Sequence, residues 1–366
     1  MSLRIAMTHH IFSMHKVGGI SRYFAETARS LTEHGEQVRI FAPLYCNEYL
    51  AELPRSVVRG WHVRDYPRRH ASKVIEANRR ISSTAITRWR PDVVHTTYYG
   101  RPPAASAKFA NVLTVYDLIH VLMPELFGNA PDAALQRKAV ERADHIICIS
   151  ENTRQDLIEH LGVPADKATT IHLGVTPLAA PKQAEPSEDP YLLFVGQRYS
   201  YKNFLPFLDA YSSSAALKSD FRVVAVGGTP FTTAELEHMA TLGLKPGSVA
   251  QRNVDDAELG TLYRNAAAFV YPSLYEGFGL PPLEAMANDC PVVSSDASSM
   301  PEVIGDAAEY FDPRDIDSMK AAIERVVYDD GRRRELIDLG RKRQQLFTWD
   351  QCARETQRVY RSLAGR

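Results

Sequence analysis

Tyr271-Pro-Ser-Leu-Tyr-Glu-Gly-Phe-Gly-Leu-Pro-Pro-Leu-Glu-Ala-Met286 closes the apolar run that starts at Ala268, then changes character twice. Pro272 ends the strand that the run implies. Glu276, Gly277 and Gly279 form a loop, and Pro281 sits where a helix would begin, since a first-turn proline loses no hydrogen bond. The glycines let the Gly277–Leu280 backbone come close to a ligand and offer its amides. A helix N-terminus then faces negative phosphate. Glu284, in the first helical turns, can accept two hydroxyls of a ribose, and Glu276 can do the same for a sugar. Ionised carboxylates suit polyols because each oxygen accepts without a donor of its own. Either acid alone could equally be a surface residue or a partner for the helix dipole. Together the glycines, prolines and acids stand where one mechanism needs them.

Outward from this unit, apolar runs alternate with amphipathic segments, the pattern of parallel sheets with crossover helices. On the N-terminal side, strands are expected at Leu3–Thr8, Val38–Ala42, Val93–His95, Val112–Val115 and Ile146–Ile149. A helix after Gly18-Gly19 carries Phe24, Ala28 and Leu31 on one face and closes at Gly35. Asn152, with Gln155 three residues on, is the expected N-cap of a helix ending at Gly162. The proline-rich stretch 177–190 reads as a linker. Alternation restarts at Tyr191–Val195, followed by a helix at Leu205–Tyr211 and strands at Phe221–Val226 and Pro291–Ser294. Trp349 to Leu363 has helical spacing through Cys352, Thr356, Val359, Tyr360 and Leu363. The expected organisation is a first α/β domain over 1–176, a second over 191–348, and a helix over 349–366 returning to the first. Two doubly wound domains of this kind face a ligand across a central cleft.

Composition narrows the function class. With 366 residues, 45% hydrophobic and 24% charged, the chain is long enough for two globular domains. A formal net charge of −1 gives no global field for nucleic acid. Cys46, Cys148, Cys290 and Cys352 are far apart, which argues against a disulfide framework and a zinc site. The start is too short and too soon polar for a signal peptide, and no apolar run approaches the ~20 residues of a membrane span. A cytoplasmic protein is expected. Charge is uneven, however: from Arg55 to Arg90 there are nine Arg and one Lys against Asp65 and Glu76. This is either a solvated face or an attraction to anionic lipid or a phosphorylated acceptor.

Two further loops have phosphate-binding chemistry. Gly18-Gly19 opens a helix, so its amides and the helix dipole can face an anion, although a lone Gly-Gly is equally a turn required by sterics. Phe194-Val-Gly-Gln-Arg-Tyr-Ser-Tyr-Lys-Asn203 sets Arg198 and Lys202 beyond a strand end. Such cations can grip a diphosphate, Arg through paired donors and Lys as a point charge, or can be ordinary surface cations.

The run E-G-F-G-L-P-x-L-E with Pro-Ser before it resembles the signature of the family-4 glycosyltransferases of the GT-B fold. Val195-Gly196 with Arg198 and Lys202-Asn203 is similar to that family's diphosphate loop. Ser150–Val175, Leu259–Pro272 and Met300–Val303 fit as well. The resemblance implies that Glu276 and the Gly277, Phe278, Gly279 and Leu280 segment hold the donor sugar. Glu284 would hold the ribose, and Arg198 and Lys202 the diphosphate. Arg252, Asn253 and Val254 would lie by the base. Anomeric configuration is retained in the family and no metal or cofactor is needed. The acceptor hydroxyl attacks on the face the nucleotide leaves, and a phosphate oxygen takes its proton. Tyr116-Asp-Leu-Ile-His120 departs from the histidine many relatives carry at that strand end, and it makes Asp117 and His120 candidates for the chemistry. His120 can equally be a structural histidine. His95 and Tyr98 are candidates for the acceptor wall, with core packing expected for one of Tyr98 and Tyr99. His9 and His10 carry the same ambiguity.

The expected reaction is transfer of a hexosyl unit, with GDP-mannose first among donors and UDP-sugars open, to a glycan or polyprenyl-linked glycan. It would take place at the inner face of the cytoplasmic membrane. The rival readings are another GT-B enzyme, an epimerase or phosphorylase, and a silent sugar-nucleotide-binding subunit.

Overall fold

The computed structural model describes residues 2–64, 71–100, 109–127, 132–178, 189–198 and 200–364. Arg68 and Arg69 of the basic stretch, Tyr199 and most of the 177–190 segment lie outside those residues. The chain divides into two compact units, Met1–Gly174 with Thr348–Arg366, and Val175–Phe347.

The first unit is built on β1 (Arg4–Met7), β2 (Gln37–Tyr45), β3 (Val58–His62), β4 (Val93–Thr96), β5 (Ala110–Val115), β6 (His145–Cys148) and β7 (Ala168–Thr170). All pairings are parallel, in the order β3-β2-β1-β4-β5-β6-β7. The second unit uses β8 (Tyr191–Val195), β9 (Arg222–Val226), β10 (Val249–Arg252), β11 (Ala268–Tyr271), β12 (Val292–Ser295) and β13 (Ala308–Phe311). Its order, β10-β9-β8-β11-β12-β13, repeats that of the first six strands of the first sheet. Each order runs outward one way from its first strand and then reverses, at β1/β4 and at β8/β11. In open α/β sheets, ligands bind beyond the carboxyl ends of the strands at such reversals.

Burial explains why these residues form these strands. β4, β11 and β12 are buried at every position, as expected for parallel strands covered on both faces. In the second unit Phe194, Phe204, Phe207 and Tyr211 pack with Met319 and Ile323 into one core. Local punctuation differs from the expectation in two places. Ser150, not Asn152, caps the helix Glu151–Leu161 by accepting from the Thr153 amide. A one-turn helix, His10–Met14, stands between β1 and the Gly19–Glu33 helix. Among the described residues no helix is long and apolar enough to cross a membrane.

The C-terminal helix, Trp349–Leu363, returns to the first unit as expected and packs on Gly19–Glu33. Its apolar stripe is Cys352, Ala353, Thr356, Val359, Tyr360 and Leu363, all buried. Polar contacts lock the register. Glu36, with its side chain 1% exposed, accepts from Gln357 Nε2 at 2.6 Å, Arg361 Nη2 at 2.8 Å and the Leu3 amide at 2.5 Å.

Burial works to raise the Glu36 carboxyl pKa, but the donors Arg361, Leu3 and Gln357 together outweigh it and hold it below its ordinary value near 4.5. A carboxylate depressed by folding stabilises the protein above its unfolded pKa, and that stability is lost as pH falls through the folded value. The urea midpoint of the wild type is therefore expected to fall as pH drops below about 4.5. Glu36→Gln should start lower at neutral pH and fall less steeply, whereas parallel curves would remove Glu36 from the acid response.

Candidate active site

The two loops at the β8/β11 reversal meet through one ion pair. Lys202, in the loop after β8, places Nζ 2.5 Å from Oε1 of Glu276, in the loop after β11. The side chains are only 14% and 13% exposed. The ammonium also lies over the rings of Tyr271, at 5.6 Å, and Tyr201, at 5.4 Å, whose faces attract a cation. The Leu274 amide donates to the Tyr201 carbonyl at 2.8 Å, tying the loops together by backbone as well.

The Glu276 loop is held from a third side by two serines after β12. Ser298 Oγ accepts from the Glu276 amide at 2.9 Å and donates to the Glu276 carbonyl at 3.0 Å. Ser299 Oγ donates to the same carbonyl at 2.8 Å and reaches that of Phe278 at 3.2 Å. These serines carried no chemical motif; their only signal in the sequence was their place just before Met300-Pro-Glu. Gly279 caps the helix Leu280–Ala287 with φ 99°, and a Cβ there would stand 2.8 Å from Met300 Cε. Only glycine meets both conditions without strain. Phe278 turns its ring into the core against Phe347, 5.7 Å between centroids, so only its backbone is left for a ligand.

Behind each acid stands a buried phenol. Burial pushes Tyr271 well above its ordinary range, and the Glu276 carboxylate adds to the shift. Tyr263 is raised in the same way by burial and then by Glu284. Glu284 is half-buried on the Leu280–Ala287 helix, and its backbone carbonyl accepts from Asn288. Arg252 ends the edge strand β10 exposed, followed by exposed Asn253 and half-buried Val254. β9 stands between them and β8.

Arg198 is placed differently from the expectation of a cation open to phosphate. Its guanidinium donates to Glu235 at 2.6 Å, to the Gly227 carbonyl at 3.0 Å and to the Thr229 carbonyl at 2.7 Å. It also lies 4.8 Å from the Phe231 ring centre, and its side chain is 4% exposed. It braces the loop after β9 against the loop after β8. Glu235 was not flagged in the sequence, because its only local role is to complete the capping box with Thr232.

In the first unit, Gly18 caps the Gly19–Glu33 helix in an exposed turn, with no side-chain cap. His95 is not available to an acceptor. It is fully buried, with Nδ1 2.5 Å from the Tyr360 hydroxyl and Nε2 2.8 Å from Thr114 Oγ1. Burial lowers its pKa to about 3, so it is a neutral core residue that receives the C-terminal helix. Tyr99 is the core member of its pair, and its hydroxyl accepts from Gln136 at 2.9 Å. Half-buried Tyr98 packs against it with the rings tilted, 4.7 Å between centroids, its phenol pushed up to about 12 by burial and by the Asp132 and Asp117 charges. Asp117 Oδ1 accepts from the Ile119 amide at 3.1 Å. His120 lies 4.2 Å from the Phe127 ring, and its buried Nδ1 has no hydrogen-bond partner among the described residues. The structure thus brings Tyr98, Asp117 and His120 into one neighbourhood and removes His95 from it. His9 and His10 stack on one another at 4.2 Å, with pKa values lowered to about 3 and about 4, chiefly by burial.

Residues 176–343 match the family described as glycosyl transferases group 1, and residues 17–177 match glycosyltransferase family 4. The O-antigen chain mannosyltransferase B of Escherichia coli is 31% identical over 269 residues, covering 69% of this chain and 70% of that one. The chain belongs to the family-4 glycosyltransferases. A second relative, the serotype-specific mannosyltransferase WbdA of Escherichia coli, is 28% identical over 80% of this chain, which spans only 38% of WbdA. Sucrose-phosphate synthase from Thermosynechococcus elongatus superposes with a TM-score of 0.77, covering 99% of both chains at 21% identity. The two units are those of a GT-B glycosyltransferase.

The brace by Arg198 has a measurable consequence. Arg198→Met leaves the Glu235 carboxylate buried without its partner, which costs about 3 kcal/mol for pairs of this kind. Denaturant unfolding of the second unit should shift by that amount. An unchanged midpoint together with weakened nucleotide binding would return Arg198 to the role of a direct phosphate ligand.

Proposed function

We propose that this glycosyltransferase transfers a mannosyl unit from GDP-mannose to a glycan or polyprenyl-linked glycan acceptor. We infer that the anomeric configuration is retained and that no metal takes part. The mannosyltransferase relatives support the choice of sugar and the kind of acceptor. The observation that carries the reading is the Lys202–Glu276 pair at the β8/β11 reversal, beside the glycine-capped start of the Leu280–Ala287 helix.

In this reading the arriving diphosphate takes Lys202 from Glu276. The ammonium and the amides of the Gly277–Leu280 segment then face the phosphates and stabilise the charge that grows on the leaving nucleotide. The released Glu276 carboxylate accepts hydroxyls of the sugar, and Glu284 accepts those of the ribose. Arg198 acts by holding the Lys202 loop. Arg252, Asn253 and Val254 stand toward the base. Within the first unit, Tyr98, Asp117 and His120 are the residues assigned to the acceptor, and the Gly18-Gly19 turn carries amides suited to an anion. The acceptor hydroxyl attacks on the face from which the nucleotide departs, and a phosphate oxygen takes the proton. Lysine and helix amides supply the positive charge a metal would otherwise bring. The basic residues between Arg55 and Arg90 draw the enzyme to an anionic membrane face, where a lipid-linked acceptor resides.

Transfer from GDP-mannose, followed by the anomeric proton of the product, tests this reading. Retention with turnover unaffected by chelator is expected, and Glu276→Ala should lower kcat by about a hundredfold or more while the fold persists. An inverted product, or a loss on chelation that added metal restores, would overturn the mechanism. Preference for a UDP-sugar would overturn the donor alone.

A further inference from the structure

A concavity of roughly 930 Å³ lies in the first unit, between the edge strand β3 and the helix Ala71–Trp89. It has two kinds of wall. Trp61, 74% exposed on β3, and Ile81, 57% exposed on the helix, face it together with Trp89. Arg39, Arg59 and Arg88 stand among these apolar groups, and no carboxylate lines the groove among the described residues. Glu76, the nearby acid on the same helix, is already held by Arg79 and Arg80 at 2.7 and 2.8 Å. Arg39 stacks its guanidinium 4.7 Å from the Trp89 ring. Burial, then the Arg59 and Arg4 charges, work against its protonated form. Arg80, which also lines the groove, is thus compensated, whereas among the described residues Arg39, Arg59 and Arg88 have no carboxylate partner and stand beside indole and aliphatic surface left in water.

A solvated basic face needs no exposed tryptophan, and an apolar patch needs no converging arginines. Both together match the boundary of a bilayer, where anionic headgroups meet the first carbons of the acyl chains. Arginines suit the phosphate, and an indole suits the interface. An acidic polypeptide would satisfy the cations but would leave Trp61 and Ile81 uncovered. We propose that this groove seats an anionic phospholipid, headgroup toward Arg59 and Arg88 and acyl chain along Trp61, Ile81 and Trp89, so that the β3 edge rests on the membrane. The proposal rests on the membrane-facing part of the proposed function and not on the donor chemistry.

The test is co-sedimentation of the full chain with phosphatidylcholine vesicles containing about a third phosphatidylglycerol, against phosphatidylcholine alone. The wild type should bind the anionic vesicles, with a blue shift in tryptophan emission that Trp61→Phe reduces. Arg59→Glu with Arg88→Glu should weaken binding about tenfold or more. Trp61→Ala with Ile81→Ser leaves the charge unchanged and should still weaken binding severalfold. All four positions are lining residues outside the donor site, so melting temperature and transfer to a soluble acceptor without vesicles should be unchanged. Wild-type binding by both double variants would overturn the proposal. Loss with the charge variant alone would also overturn it, in favour of diffuse attraction to the basic segment. So would binding of poly-glutamate in place of vesicles, which would make the groove a peptide site. Vesicle binding in a protein that transfers no sugar would instead count against the catalytic reading and leave this one standing.

Discussion

The contact between Lys202 and Glu276 is the constraint on which the donor half of this enzyme depends. It joins the loops that leave β8 and β11, the adjacent strands at which the second sheet reverses direction. Two charges so little exposed lose much of their hydration, and their mutual attraction repays that only when the geometry is held. The surroundings hold it. Ser298 and Ser299 fix the Glu276 backbone, Gly279 lets the chain turn under Met300, and Arg198 ties down the start of the Lys202 loop. As a stabiliser such a pair is weak. In the proposed function its use is to keep one cation and one acid ready for a ligand carrying both phosphate and hydroxyls.

Arg198 and Lys202 have different surroundings, although they lie four positions apart and resemble one another in sequence. A flexible ammonium can change partners when an anion arrives. A guanidinium spread over Glu235 and two carbonyls cannot do so without breaking the loop it supports. Sequence spacing alone made them look like a matched pair. The carboxylate that separates them, Glu235, lies 37 residues further along and shows only as a helix cap.

How much could be read from the chain follows from burial. The nine strands visible as apolar runs are the interior strands of both sheets, where a strand covered on both faces must be apolar throughout. The four not anticipated, β3, β7, β10 and β13, are the four sheet edges, short or half-exposed and without a continuous apolar run. β3 shows this most clearly, with only Val58 buried of its five residues. The Tyr271–Met286 segment was legible because its glycines, prolines and acids each answer a local requirement. His95 was not, because what buries it is Tyr360, 265 residues away on the returning helix. The apolar stripe of that helix was plain in the sequence; which polar residue it would cover was not. Ser298 and Ser299 escaped for a third reason: a serine that braces a neighbouring loop has the same local signature as one in any turn.

If Lys202 is shared between Glu276 and the donor phosphates, the acid competes with the nucleotide for the cation. Calorimetric titration of GDP into the wild type, Glu276→Gln and Lys202→Ala reads that competition directly. Glu276→Gln should bind GDP at least as tightly as the wild type, because its lysine is no longer neutralised, while Lys202→Ala should bind about tenfold or more weakly. Equal weakening of GDP binding by both substitutions would contradict the account, since the acid would then be supporting the nucleotide rather than releasing the cation to it.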